Sequence, residues 1–384
     1  VRLALVHRRF GLDGGTERFL EGLARRLSAR GHTVEVFAAS VDPRFARTRV
    51  ATFRSLRAGR RGAFKHLLLW LAARLQIRRR SFDVVVHLGR TGPLDLYRAG
   101  GGCHRTWFDM LLARASTGGQ RFALKWSLAH RFILWHERAA LTSGGRFVVP
   151  SESARRDLVE SYGNLAAGVR VLPNGVDLDR FHPRNRHLFF EEERQRLGLR
   201  PEELVLLFVG SDATRKGLDT LLRSLARLKD DGKADDVRLL VVGPGVRQRE
   251  QYAALADDLG LRDQVTFAVP QVAIERVYPA VDLLVLPTRH DPFANVTLEA
   301  LASGTPVITT AVNGAIEAVA DRSALVVLDD AEDDAALASA IEAQLRPEGL
   351  QALRAAARTS VEPASEQAAI DAWEALLTEA AAAR

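Results

Sequence analysis

The 384-residue chain has one cysteine and one methionine. With Cys103 alone there is no internal disulfide framework, and a reducing compartment is expected. No apolar run of spanning length lies near its basic region: Leu67 to Ala73 is far short of the ~20 residues a membrane helix needs. Val1 to Val6 reads as a buried strand rather than a leader peptide. These absences predict a cytoplasmic protein, peripheral on the inner face of the cytoplasmic membrane. A Walker A sequence is also missing, and Gly14-Gly15 lacks the third spaced glycine of a dinucleotide fingerprint.

Acids are scarce in one half. Residues 1–180 carry 32 Lys and Arg against 14 Asp and Glu, and the remainder is net negative. From Pro43 to Phe82 there are twelve cations and no acid, with Leu67, Leu68, Leu69, Trp70 and Leu71 embedded. Arg105 to Arg138 interleaves Arg114, Arg121, Lys125 and Arg131 with Trp107, Phe108, Phe122, Trp126, Phe132 and Trp135. Cations beside aromatics suit an anionic membrane surface or a phosphorylated glycan. Two plainer accounts compete: a coding bias, since Arg outnumbers Lys 49 to 5, and core aromatics under a solvated arginine rim. Nucleic acid is not an expected partner, because neither a groove-binding element nor a base-stacking array is evident.

The length favours two domains. Short Val- and Leu-rich runs, each followed by a helix-period segment, recur at Leu3–Val6, Val34–Phe37, Val84–His87 and Phe147–Val149, then at Leu204–Val209, Leu239–Val242, Leu283–Leu286 and Val307–Thr310. That alternation is α/β, with parallel sheets covered by helices. The Pro- and Gly-bearing stretch Pro173 to Arg186 separates the two series as a linker. A last helical stretch, Ser365 to Ala383, is expected to return to the first domain.

Two strand–loop–helix units carry candidate chemistry, and a glycine pair adds a third place. Gly14 and Gly15 precede a helix N-terminus, where backbone N–H groups can approach a phosphate, although any turn there would also use glycine. Gly210-Ser211-Asp212-Ala213-Thr214-Arg215-Lys216-Gly217 follows a strand, placing two cations at the carboxyl end of a sheet, a position suited to a diphosphate. In Pro287 to Ala300, Asp291 lies in a loop and Glu299 about one turn into a helix. The first can accept from sugar hydroxyls and the second from a ribose diol, with amides between them for phosphate. A capping loop acid beside an ordinary helix Glu is the plain alternative.

Asp291 and Glu299, followed by an apolar helix and Gly304-Thr305-Pro306, resemble the hallmark of the family 4 glycosyltransferases of the GT-B fold, which has Glu at both positions. Pro173-Asn174-Gly175-Val176-Asp177 with Phe181 is similar to that family's interdomain signature. Gly210 to Gly217 resembles its diphosphate motif, and Asn313 to Glu317 a further Gly-x-x-Glu element. The similarity is greatest to members that glucosylate the lipopolysaccharide core, through Gly14-Gly15, Leu94-Asp95-Leu96-Tyr97 before a turn with Cys103, and Val209 to Gly217.

The resemblance implies a GT-B architecture, two Rossmann-like domains facing a central cleft. Residues 1–185 would form an acceptor-binding domain, 186–364 a nucleotide-sugar-binding domain, and 365–384 a returning C-terminal helix. It implies retaining transfer of a hexose, glucose from UDP-glucose, to a lipopolysaccharide core or other lipid-linked glycan, without cofactor or essential metal. His104 and Asp291 would be catalytic, and Gly14, Gly15, Arg215, Lys216, Phe293, Ala294, Asn295 and Glu299 would bind the donor. Two departures stand out: Asp291 is one methylene shorter than Glu, and Gly100-Gly101-Gly102 replaces a turn that often carries an acid. Asp177-Leu178-Asp179, which imitates a metal-binding pair, reads as turn chemistry. A sugar-phosphate synthase or phosphorylase with a soluble acceptor is the competing function, and a nucleic-acid-binding protein, motivated by the same positive charge, is the more distant alternative.

Overall fold

The computed structural model describes residues 1–11, 14–43, 52–55, 65–77, 80–89, 95–143, 145–268 and 273–383. They form two compact units, Val1–Asn174 with Ala368–Arg384, and Gly175–Gln367.

The first unit holds a seven-stranded parallel sheet in the spatial order Thr52–Ser55, Thr33–Ala38, Arg2–Val6, Val84–Leu88, Leu96–Arg98, Arg146–Val149, Arg170–Val171. Alternate side chains feed opposite faces, which is why the strands read as unbroken apolar runs. Leu3, Leu5, Val34, Val36, Val84 and Val86 pack under helix Gly15–Ala29. Ala4, Val6, Phe37 and Val85 pack on Ala73, Ile77 and Phe82. Leu20, Leu23 and Leu27 share the buried face of that helix, which ends before Gly31 in the left-handed region (φ 86°). The terminal helix Glu366–Ala382 sets the fully buried Trp373 into the same core, against Phe19.

The second unit repeats the plan with six parallel strands ordered Val265–Phe267, Val237–Val242, Leu204–Val209, Leu283–Leu286, Val307–Thr310, Leu325–Leu328. Val205, Leu207 and Leu240 face one core, and Leu206, Phe208 and Leu239 the other. In both sheets the order reverses beside the first strand, between Arg2–Val6 and Val84–Leu88 and between Leu204–Val209 and Leu283–Leu286. In open α/β sheets such a reversal is where ligands bind, outside the carboxyl ends of the strands.

Three-residue strands such as Leu96–Arg98 and Val265–Phe267 escaped the sequence reading because they are too short to show a run. Residues 175–185, expected to close the first domain, pack in the second unit instead. Val176 exchanges backbone hydrogen bonds with Ala364 and Glu366. Phe181 is buried in the second unit's core, and Arg358 donates to its carbonyl oxygen at 2.7 Å. At Gly175 a Cβ would lie 2.4 Å from the Ser365 carbonyl oxygen, so the strand crossing requires glycine.

Candidate active site

The switch point of the second sheet assembles the site. Gly210–Gly217 leaves the end of Leu204–Val209 and Pro287–Ala294 the end of Leu283–Leu286, so residues 75 apart in sequence meet. Lys216 Nζ donates to Asp291 Oδ2 at 2.9 Å, and Arg215 Nη1 lies 3.1 Å from the same oxygen. Arg215 Nη1 also donates to the His290 carbonyl at 2.7 Å. Both glycines of the turn are required. A Cβ on Gly210 would lie 2.1 Å from Cδ of Lys216, and Gly217, at φ 76°, would meet the Pro287 carbonyl at 2.1 Å.

Lys216 and Asp291 are both buried, while Arg215 keeps part of its side chain in solvent. Burial by itself would raise the Asp291 carboxyl. The Lys216 and Arg215 charges, with donation from Lys216 and the Phe293 amide, outweigh it and hold the group at about 2. The cluster is thus a buried carboxylate shared by two cations, with the more exposed Asp212 carboxylate 3.6 Å from Arg215 Nε as a second acid.

Helix Asn295–Ala302 carries Glu299 on its buried side, one turn from the start. Tyr278, fully buried, donates its hydroxyl to Glu299 Oε2 at 2.9 Å and so orients this carboxylate. Asn313 ties the loop together: Oδ1 accepts from the amides of Ala294 and Ala315 at 3.3 and 3.1 Å, and Nδ2 donates to Thr297 Oγ1 at 2.9 Å and Thr309 Oγ1 at 3.0 Å. The amides expected to be open for phosphate are therefore partly used, Phe293 donating to Asp291 Oδ1 at 3.2 Å and Ala294 to Asn313. Asn295 opens the helix itself.

Burial, then the neighbouring Arg215 charge, lowers His290 from 6.5 to about 4. Because the folded pKa lies below the unfolded one, the unfolded chain takes the proton first as pH falls. This contribution to stability is complete above about pH 6.5 and is lost between about 6.5 and 4, amounting to at most about 3 kcal/mol. Urea unfolding at pH 7, 5.5 and 4.5 is expected to show wild-type stability dropping faster than that of His290→Gln. Parallel slopes contradict the assignment.

The remaining candidates belong to the first unit. His104 opens helix His104–Arg114, buried, with Nε2 3.0 Å from His130 Nδ1 and the two rings stacked. Its amide donates to the buried Glu137 carboxylate at 2.7 Å. Gly14 caps and Gly15 begins helix Gly15–Ala29. A Cβ on Gly14 would lie 2.5 Å from Glu17 Oε2, so a carboxylate already stands over that helix start. Asp177 Oδ1 accepts from the amides of Asp179 and Arg180, both at 3.1 Å, as a turn cap does.

Tyr278 and the His290 carbonyl were not legible in sequence as site groups, since neither belongs to a spacing pattern. Their roles come from packing across the sheet.

Comparison with known proteins places both units. Residues 189–360 match the family described as Glycosyl transferases group 1, and residues 13–180 match Glycosyltransferase Family 4. A D-inositol 3-phosphate glycosyltransferase of Geodermatophilus obscurus is 36% identical over 254 residues, 64% of this chain and 55% of its own length. The Mycobacterium marinum enzyme of the same name is 36% identical over 191 residues, 48% of this chain and 39% of its own. The chain thus spans about half the length of the curated relatives it matches. Among solved structures, WaaG, a glycosyltransferase involved in lipopolysaccharide biosynthesis, superposes with a TM-score of 0.83 at 23% identity, covering 98% of this chain and 99% of that one. Sucrose-phosphate synthase from Thermosynechococcus elongatus gives 0.80 at 22%, with full coverage of both chains. Anabaena Alr3699/HepE in complex with UDP-glucose gives 0.72 at 17%, covering 98% and 99%.

Proposed function

The chain belongs to the GT-B glycosyltransferases of group 1 and family 4, and from that premise we propose that it transfers a hexose, with retention, from a nucleotide diphosphate sugar to a membrane-associated glycan. The observation that carries this reading is the convergence of Arg215, Lys216, Asp291 and Glu299 at the second sheet's switch point. Arg215 and Lys216 hold the diphosphate and stabilise it as it departs. Glu299, fixed by Tyr278, accepts from the ribose diol, and Asp291 accepts from the sugar. The UDP-glucose bound by Alr3699/HepE makes that the first donor to test.

Thermal unfolding with a panel of nucleotide sugars tests the donor. The cognate one stabilises the folded protein by about 2.7 kcal/mol at a hundredfold excess over Kd. If no nucleotide sugar raises the melting temperature, the reading fails.

A lipopolysaccharide core or other lipid-linked acceptor is supported by one surface of the first unit. Helices Gly118–Lys125 and Leu128–Thr142 expose Phe122 (64%), Trp126 (61%), Leu128 (62%) and Trp135 (54%). Arg114, Arg121, Lys125, Arg131 and Arg138 are exposed on the same segment, which has no acid between Asp109 and Glu137. Phe108, by contrast, is buried, and Trp107 and Phe132 are half-buried. Most cations of the 43–82 run, including Arg78 and Arg79, lie outside the described residues. Arg80 is engaged with Glu35 at 2.9 Å.

On this reading the helical pair docks on the inner face of an anionic membrane, each engaged cation contributing about 1 kcal/mol. Sedimentation with anionic vesicles is expected to exceed that with neutral ones and to fall with salt, because the attraction is screened over about 8 Å at physiological ionic strength. Phe122→Ser with Trp126→Ser is expected to remove most of the salt-resistant remainder. Equal binding to both vesicle types, or none, defeats membrane docking. It would favour the soluble acceptor suggested by the D-inositol 3-phosphate relatives and by the sucrose-phosphate synthase likeness.

A further inference from the structure

We propose that the first unit binds a phosphate group on Arg98, at the switch point of its own sheet, and that this phosphate belongs to the acceptor. Arg98 ends strand Leu96–Arg98 at the carboxyl edge and is 2% exposed. Its Nη2 donates to Asn174 Oδ1 at 2.6 Å, and its guanidinium carbon lies 3.8 Å from the ring centroid of Phe19 on helix Gly15–Ala29. The side chain therefore reaches from the strands beyond the switch to the helix that follows the first strand, the place at which open α/β sheets take ligands.

Among the described residues, no acceptor meets Nε or Nη1. Burial, with no charged group opposing it, pulls the guanidinium down to about 9. The other two buried arginines among the described residues differ. Arg194 donates to Asp282 at 2.7 Å and to four backbone carbonyls. Arg289 is held between Asp219 and Glu332. The fold can thus saturate a buried guanidinium, yet leaves this one with at least three of its five donors unmet. A buried cation without a counter-ion is strongly unfavourable, and an incoming anion relieves the cost.

The local sequence keeps this arrangement open. A Cβ on Gly100 would lie 2.2 Å from Arg98 Nη1, so only glycine lets the guanidinium lie there. The turn Gly100-Gly101-Gly102 stands beside it, and among the described residues the Gly100 and Gly101 amides donate to no backbone oxygen. Several N–H donors converging from one guanidinium and a glycine turn suit the multiple oxygens of a phosphate better than a single carbonyl. The start of helix His104–Arg114 is not part of the site, since Glu137 already accepts from the His104 and Arg105 amides. Assigning the phosphate to the acceptor rests on the reading that the donor's diphosphate is held by Arg215 and Lys216.

The test is phosphate-induced thermal stabilisation of the full chain in saturating UDP, which fills the second unit's cations. Inorganic phosphate and glucose 6-phosphate are the probes, and glucose the neutral control. Both phosphates are expected to raise the melting temperature, and glucose not. Arg98→Met is expected to melt at or above wild type without phosphate and to lose the shift. Arg98→Lys, which keeps the charge without the planar fork, is expected to bind at least tenfold more weakly. Tighter binding of glucose 6-phosphate than of inorganic phosphate assigns the site to a phosphorylated sugar, and equal binding to free phosphate. Absence of a shift in wild type, or an undiminished shift in both variants, overturns the site. The stabilisation of Arg98→Met by UDP-glucose is read in parallel, so failure of the donor assignment is seen separately.

Discussion

Lys216→Ala is expected to lower turnover about 10²- to 10³-fold, the usual cost of removing one donor that stabilises developing charge. The geometry adds a second effect. Lys216 is one of two cations on a carboxylate that is itself buried (5% exposed). Its removal leaves Arg215 as the remaining cation on Asp291, so the variant is expected to be less stable as well as less active. Breaking a buried pair outright costs about 3–5 kcal/mol, and the remaining guanidinium keeps the loss below that. Arg215→Ala is expected to match the loss of turnover with a smaller loss of stability, because Arg215 is the more exposed of the two. Stopped-assay kinetics beside circular-dichroism melting separate the effects, with rates compared below both melting temperatures. Near-wild-type rates for both variants would remove the diphosphate assignment.

Asp291→Asn is expected to act in opposite directions on two ligands. In the ligand-free protein the Asp291 carboxylate neutralises the cations that a diphosphate requires, at 2.9 Å from Lys216 and 3.1 Å from Arg215. Nucleotide binding must compete with that internal anion. Removing its charge is expected to tighten free UDP about tenfold, or ~1.4 kcal/mol, while sugar transfer collapses because the sugar loses its acceptor. Glu299→Gln, whose partner is the neutral Tyr278 hydroxyl, is expected to weaken UDP and UDP-glucose alike. A carboxylate that met only the sugar would leave nucleotide binding unchanged on Asp291→Asn; the ion pair with Lys216 and Arg215 makes it a gain. Calorimetric titration of both ligands into both variants decides it. Weaker UDP binding to Asp291→Asn would show that the carboxylate does not compete with the diphosphate.

The hydropathy pattern determined the α/β class, the parallel sheets and most strand positions, because strands buried on both faces must be apolar at every residue. Leu204–Val209 and Leu283–Leu286 run between the same residues in the folded chain as in the sequence reading. The Gly-rich turn with Arg215-Lys216 and the acids at 291 and 299 were visible as residue types in loops, since their chemistry requires those types near a strand end. Tertiary structure decided what these residues do to one another. Strand order at the switch point, which no local pattern encodes, sets Asp291 on Lys216 and Arg215. Packing across the sheet brings Tyr278 to Glu299 and gives Asn313 the two amides and two hydroxyls it bridges. It also stations Glu17 over Gly14 and draws 175–185 into the second unit. Arg98 shows the difference most plainly: in sequence it is one of many arginines, and only the fold, by burying it against Phe19 with no ion pair among the described residues, makes it distinct.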